Sequence, residues 1–301
     1  MRTALCGGTG FIGSALARTL SARGDEVWII TRSKPAAPAA GLLYATWEDW
    51  QSDPDLTGPL DAIVNLSGET IGRRWTPAAK SRILSSRTEA AARIADIAGR
   101  MRQPPAVLVG ASAISLYGHA ESSGGRYPPP CDESSPPLPQ DFLSKTIVDW
   151  EAAADRIPIE RIVKLRIGLA LGKGGGSFPM LSLPTKLFAG GRLGSGRQGM
   201  PWIHIDDIVG LILFCLDTET ISGPVNAVAP ETVDNDAFGR TLAKVMHRPY
   251  WLHAPAWAIR AALGEMSALL LTGQFAVPCK ALEHGYRFRY PRLSEALENL
   301  V

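Results

Sequence analysis

Near its start the chain runs from an apolar strand pattern, Thr3-Ala-Leu-Cys, into Gly7-Gly-Thr-Gly10-Phe-Ile-Gly13, three glycines set three apart, and then into a helical pattern. Each glycine meets a separate demand. Gly7 permits a tight turn, Gly10 lets a pyrophosphate approach the backbone, and Gly13 lets the helix pack close to the strand. The phosphates then rest on the amides of the helix N-terminus, where Phe11 and Ile12 follow Gly10. Glycine triplets also occur in ordinary loops, so the context decides. Here Ala15, Leu16 and Leu20 recur at helical spacing, Gly24 stops the helix, and Glu26-Val-Trp-Ile-Ile-Thr31 reads as the next buried strand. This βαβ unit predicts a dinucleotide site.

The alternation continues. Asp61-Ala-Ile-Val-Asn-Leu66 is a short apolar strand, Pro77 to Arg100 a long helical stretch, and Ala106-Val-Leu-Val-Gly-Ala-Ser112 a further strand. A Pro- and Gly-rich loop follows, in which Tyr127-Pro-Pro-Pro and Ser134-Ser-Pro-Pro-Leu-Pro hold no regular element. Residues 141–155 resume as a helix and 161–171 as a strand. Strands alternating with helices predict an α/β fold, a doubly wound parallel sheet covered on both faces. The dinucleotide-binding unit is assigned to 1–172, with 200–228 returning to it as strand, buried helix and strand. Residues 173–301 are assigned mainly to a smaller substrate-binding or lid region, Gly-rich and basic at first, then a helix over 234–246 with Asp234 as its N-cap, and mainly helical beyond.

With 301 residues, 46% of them apolar, the chain can bury a large core. A net charge of +2 gives no overall field that implies nucleic acid or an anionic membrane as the main partner. Nucleic-acid binding through the basic Gly loops lacks the aromatic interleaving it needs beside Arg192 and Arg197. Cys6, Cys131, Cys215 and Cys279 are scattered without a CxxC pair, which suits a reducing compartment. The first strand begins too early for a cleavable signal, and no apolar run reaches membrane-span length, so the expected location is the cytoplasm. The five histidines (119, 204, 247, 253 and 284) form no HExxH or zinc-like cluster, and no metal is expected.

An NAD ribose calls for an acidic residue at the end of the second strand, whereas this chain has Thr31-Arg32-Ser33-Lys34 there. Arg32 offers a bidentate contact to a 2′-phosphate and a face for adenine, with Thr31, Ser33 or Lys34 assisting. The other reading of that segment is a solvated basic turn. Its place within the fingerprint favours NADP(H).

Further segments are Asn65-Leu-Ser-Gly-Glu69, Arg74-Trp75, Ser86-Arg87, Ala111-Ser-Ala-Ile-Ser-Leu-Tyr-Gly118, Trp150-Glu151, Gly194-Ser-Gly-Arg-Gln198, Pro201-Trp-Ile-His-Ile-Asp-Asp207 and Gly285-Tyr-Arg-Phe-Arg-Tyr-Pro291. With these the chain resembles the extended short-chain dehydrogenases/reductases, the NAD(P)-dependent epimerase/dehydratase superfamily, and within it the atypical branch called epimerase family proteins. The resemblance spans nearly the whole chain. It implies a Rossmann-type N-terminal domain, a smaller C-terminal substrate domain and bound NADP(H). It also places Leu66, Ser67 and Gly68 along the adenine ribose and phosphates, and Arg87 near the nicotinamide half. A helix-surface arginine is the alternative for Arg87.

In that superfamily a Tyr and a Lys spaced YxxxK share a helix face, the cation lowering the phenol's pKa for proton exchange while nicotinamide exchanges hydride. Aligned on Lys145, the Tyr position holds Asp141; aligned on Tyr117-Gly118, the usual Ser/Thr position holds Ala113, beside Ser112 and Ser115. Lys145 is therefore assigned to the nicotinamide ribose, and Asp141, Tyr117 or Ser112 to proton donation. Asp141 equally suits a helix N-cap and Tyr117 a packed loop aromatic. The expected reaction is reversible hydride transfer on a small carbonyl or hydroxyl compound, nucleotide-linked in one version, with Arg192 and Arg197 offered to an anionic substrate. The rival is a cofactor-binding regulator without catalysis.

Overall fold

The structure, a computed structural model, is described for residues 1–124 and 126–301. Seven strands form the central sheet: β1 (Arg2–Cys6), β2 (Glu26–Thr31), β3 (Leu42–Thr46), β4 (Ala62–Asn65), β5 (Val107–Ala113), β6 (Arg161–Ile167) and, after four strands placed elsewhere, β11 (Gly223–Ala227). They lie in the order β11-β6-β5-β4-β1-β2-β3, and every neighbouring pair is parallel. From β1 the chain winds outward to β3, then crosses to β4 and winds the other way. The order reverses between β1 and β4, so a crevice opens beyond their carboxyl ends. This is a Rossmann-type α/β fold.

Both faces of the sheet are covered, which explains why its strands read as apolar runs rather than alternating ones. Leu5 of β1 faces a cluster containing Leu16 and Leu20 of α1 (Phe11–Ala22) and Ile208 and Ile212 of α6 (Ile205–Asp217). Its neighbours Ala4 and Cys6 face the opposite cluster, with Trp50 of α2 (Trp47–Ser52) and Ala90, Ile94 and Ile97 of α3 (Pro77–Arg100). Helix α4 (Phe142–Ala154) packs beside α3.

The remaining strands, β7 (Leu169–Gly172), β8 (Gly175–Gly176), β9 (Gly190–Leu193), β10 (Trp202–His204) and β12 (Tyr250–Ala254), form two small sheets, β10-β7-β8 and β12-β9. With α5 (Phe178–Lys186), α7 (Asn235–Val245) and α11 (Leu293–Leu300) they enclose a third core around Phe178, Trp202, Phe238 and Leu297. The short helices α8 (Ala256–Leu263), α9 (Ala268–Leu271) and α10 (Cys279–Glu283) lie between β12 and α11. Asp234 caps α7, its carboxylate accepting from the Ala237 amide at 2.9 Å. Four strands escape the sequence pattern: β3, the short β8 and β9 of the Gly-rich stretch, and β12. Edge strand β3 is half exposed and followed at once by a capped helix, and β12 lies in the stretch read as helical, its side chains mostly outward. The strand expected over 161–171 breaks at Gly168 into β6 in the central sheet and β7 outside it, and β10, expected to return to the central sheet, pairs with β7 instead.

Candidate functional site

The turn after β1 is held by close approaches that admit no side chain. Gly7 has φ 79°, and a Cβ there would lie 2.7 Å from the Leu66 carbonyl carbon at the end of β4. A Cβ on Gly13 would lie 2.2 Å from the Gly7 carbonyl oxygen, so α1 sits directly on the turn. Gly10 is the helix N-cap, its amide donating to the Gly7 carbonyl at 3.0 Å and its carbonyl accepting from Ser14 at 2.8 Å. The first-turn amides therefore point into the crevice between β1 and β4.

A cavity of about 650 Å³ opens there, bounded by Gly7, Thr9 and Gly10 on one side and by Leu66, Ser67 and Gly68 after β4 on another. Thr31, Arg32 and Trp47 close its far end. Arg32 is exposed, free to reach a group in the mouth. Thr31 is turned inward on its own loop, donating to the Ser33 carbonyl at 3.2 Å. Lys34 is engaged elsewhere, 2.8 Å from Asp49, and hydrogen bonds from Lys34 and Thr46 hold the Asp49 carboxyl at about 2. Phe11 and Ser14 line a second cavity of about 510 Å³ that shares Thr9 and Gly10 with the first. The Phe11 ring packs on the β7–β8 hairpin so closely that a Cβ on Gly172 or Gly175 would meet it at 2.5 or 2.6 Å. Ile12 is half-buried against the sheet core.

Arg87 lies over Gly68, where a Cβ would meet its guanidinium carbon at 3.1 Å. It donates to the Ile83 carbonyl at 2.8 Å and stacks 5.0 Å from the Trp150 ring centroid. Burial pulls its pKa down, opposed by Glu69, but a guanidinium stays charged. It thus holds a cation behind Gly68, which lines the cavity, without lining the cavity itself.

Several residues that line the cavity have no site role in the sequence pattern, among them Trp47, Ser86 and Arg93. Trp47 and Arg93 line the cavity together, the guanidinium 5.8 Å from the Trp47 centroid, and Ser86, also in the lining, accepts the Glu69 amide at 2.9 Å. The visible signal was local: Thr46 and Asp49 form a reciprocal capping box that fixes Trp47 at the end of β3.

The four residues assigned to catalysis lie outside the lining of both cavities. Ser112 donates to Glu151 at 2.6 Å, and Arg166 grips both oxygens of Glu151 at 2.8 and 2.9 Å. Arg166 also donates to the Tyr117 hydroxyl at 2.7 Å, which in turn donates to Asn226 at 2.9 Å. Ser112 and Tyr117 are thus brought together, but through a buried ion pair between β6 and α4. Burial raises the Glu151 carboxyl, yet the bonds from Arg166 and Ser112 outweigh it and leave it below the usual range. Burial also raises Tyr117 above an ordinary phenol, against the pull of Arg166, which makes it a weak proton donor at neutral pH. Lys145 is exposed on α4.

Asp141 caps α4: its carboxylate accepts the Ser144 amide at 2.8 Å and lies 3.1 Å from His119. Burial pushes this carboxyl up, but His119 and Ser144 together bring it to about 2, below the ordinary 3.8. Because the folded value is the lower one, the stabilisation is present above pH 3.8 and is lost as the pH falls toward 2. Thermal melts of wild type and Asp141→Asn are expected to differ most above that interval and to converge within it. A gap independent of pH would contradict the assignment.

Arg192 and Arg197 are both exposed near β9, and Arg197 lies 3.6 Å from Glu121. The Trp202-Ile-His-Ile-Asp-Asp segment is structural. His204 caps α6, and buried Asp207 accepts the Arg289 and Tyr290 amides at 2.7 and 2.9 Å, tying the C-terminal segment to the sheet.

A glycine turn at the reversal of a parallel sheet, opening on a long cavity, defines a dinucleotide-binding protein of the Rossmann class. The chain belongs to the NAD dependent epimerase/dehydratase family, whose profile matches residues 4–227; residues 254–300 match a domain of unknown function, DUF1731. It is 38% identical to the Bacillus subtilis "Epimerase family protein YfhF", over all of this chain and 98% of that one. Among solved structures it is similar to the human epimerase family protein SDR39U1 with NADPH, at TM-score 0.88 and 35% identity, covering 100% and 99% of the two chains. A nucleoside-diphosphate sugar epimerase from Corynebacterium glutamicum gives TM-score 0.75 at 28% identity, covering all of this chain and 58% of that one. Among the described residues no helix is long and apolar enough to cross a membrane.

Proposed function

We propose that the protein binds NADP(H) in the crevice between β1 and β4 and uses it in reversible hydride transfer with a small carbonyl or hydroxyl compound. The carrying observation is the turn itself: Gly7 and Gly13 lie so close to neighbouring backbone that neither admits a Cβ, and Gly10 N-caps α1 in the cavity wall, an arrangement that offers first-turn amides to a pyrophosphate. The human relative solved with NADPH supports the choice of cofactor. Arg32 and Thr31 stand where a 2′-phosphate is read, Trp47 and Arg93 flank the adenine end, and Leu66, Ser67 and Gly68 line the path toward Arg87. Bound there, the nicotinamide supplies or accepts a hydride. Arg87 contributes fixed positive charge beside it, and Lys145 remains the candidate for its ribose.

Arg32→Ala is expected to weaken NADPH about 10- to 100-fold, the worth of a charge-assisted bidentate contact, and to leave NADH nearly unchanged. Fluorescence titration with both cofactors checks this. Equal losses for the two would remove Arg32 from phosphate recognition.

A second reading, a cofactor-binding sensor without turnover, draws on the buried network that occupies Ser112 and Tyr117. With bound NADPH verified, its oxidation by any member of a broad carbonyl panel favours the enzyme. Silence across that panel, with NADPH still raising the melting temperature in Lys145→Ala, favours the sensor.

A further inference from the structure

The overall charge of +2 conceals an uneven distribution: residues 173–205 and 237–264 each carry four Lys or Arg and no Asp or Glu. The pairing of β9 with β12 and the packing of α5 and α7 against β9 bring these two stretches together. Along α5, Met180, Leu183 and Leu187 recur at i, i+3 and i+7 and so share one helix face. That face looks outward, with exposures of 66, 53 and 67%. Phe188 follows at φ 59°, a left-handed conformation that is uncommon for a bulky residue. It fills the post-helix position that glycine usually takes, with the Ala189 amide donating to the Pro184 carbonyl at 2.8 Å. Its ring is nonetheless 55% exposed.

The neighbouring strand extends the patch. Trp251, 69% exposed, donates its indole N–H to the Phe188 carbonyl at 2.9 Å, and the Arg248 guanidinium sits 4.4 Å from the Phe188 centroid. Arg197 and Arg240 are paired with Glu121 and Asp236, whereas among the described residues Lys186, Lys244 and Arg248 form no ion pair.

We propose that this face docks the protein reversibly on an anionic lipid bilayer. Protruding aliphatic and aromatic side chains enter the boundary between headgroups and acyl chains, while nearby cations meet anionic headgroups. A second copy of the same face would set cations against cations. A protein partner would be expected to find pockets and few lysines at the centre of the contact, whereas here the rings stand out from the surface.

The test is co-sedimentation with vesicles of phosphatidylcholine alone or mixed with phosphatidylglycerol, using wild type, Phe188→Gly and Trp251→Ala. Glycine suits the left-handed position, so Phe188→Gly keeps the fold while removing the ring. Wild type is expected to sediment with the mixed vesicles, to be released by salt, and to bind neutral vesicles weakly. Each variant is expected to lower affinity for the mixed vesicles about fivefold or more, with NADPH affinity unchanged. No binding to the mixed vesicles at low salt overturns the proposal, as does binding indifferent to both substitutions. Poly-glutamate bound as tightly as the vesicles would assign the face to an acidic protein instead. A concentration-dependent dimer lost in Phe188→Gly would assign it to a second copy.

Discussion

Replacing Arg166 by methionine is expected to cost about 3–5 kcal/mol of stability, because it strands a buried carboxylate. Arg166 and Glu151 are both buried, and Arg166 supplies two of the bonds that keep the Glu151 charge, the third coming from Ser112. It also supplies the Tyr117 hydroxyl with a donor. Lys164, 3.8 Å from Glu151, is too distant to replace that grip. Chemical denaturation of Arg166→Met beside Arg166→Met/Glu151→Leu separates the two origins of the loss. The double variant recovers much of the stability if the stranded charge dominates, since an apolar pair of similar volume is often neutral. A loss below about 1 kcal/mol in the single variant would mean that water reaches Glu151.

Gly13→Ala carries the second large effect, and its sign is diagnostic. Within an unobstructed helix the exchange would stabilise by about 1 kcal/mol. Here the new Cβ would lie 2.2 Å from the Gly7 carbonyl oxygen and 2.7 Å from the Gly8 Cα, both backbone atoms. Helix α1 must retreat, and the first-turn amides move away from the pyrophosphate position. The expected result is destabilisation by about 2 kcal/mol or more and a loss of NADPH affinity of about 100-fold or more. Calorimetric titration and denaturation of the same sample measure both. A more stable variant with unchanged affinity would show that the turn is looser than described.

The glycine turn was legible in the sequence because its demands are local: spacing of three, a strand before and a helix after. The parallel core was legible for the same reason, since β1, β2, β4 and β5 each carry an apolar run, Ala4–Cys6, Val27–Ile30, Ala62–Val64 and Val107–Val109. Edge strand β3 carries a short apolar run of its own, Leu42-Leu-Tyr-Ala45, but no helix separates it from β2, so the strand–helix alternation does not mark it. With it went Trp47, whose place in the cavity depends on the pairing of β3 with β2. The buried network was invisible for a different cause. Ser112, Tyr117, Glu151, Arg166 and Asn226 lie on separate elements spread over more than a hundred residues, and a pattern along the chain cannot show that one guanidinium gathers them. Asp141 allowed two readings, and its reciprocal bonds with Ser144 show the cap directly. The charge asymmetry of the C-terminal part was present in the sequence but averaged away in the total of 31 cations and 29 acids.

The central claim is a dinucleotide site that reads a 2′-phosphate through Arg32. Isothermal titration of the wild-type protein with NADPH and NADH in the same low-salt buffer tests it most directly. NADPH is expected to bind at least about tenfold more tightly, the worth of one charge-assisted contact. Equal affinities, or tighter binding of NADH, would contradict the account.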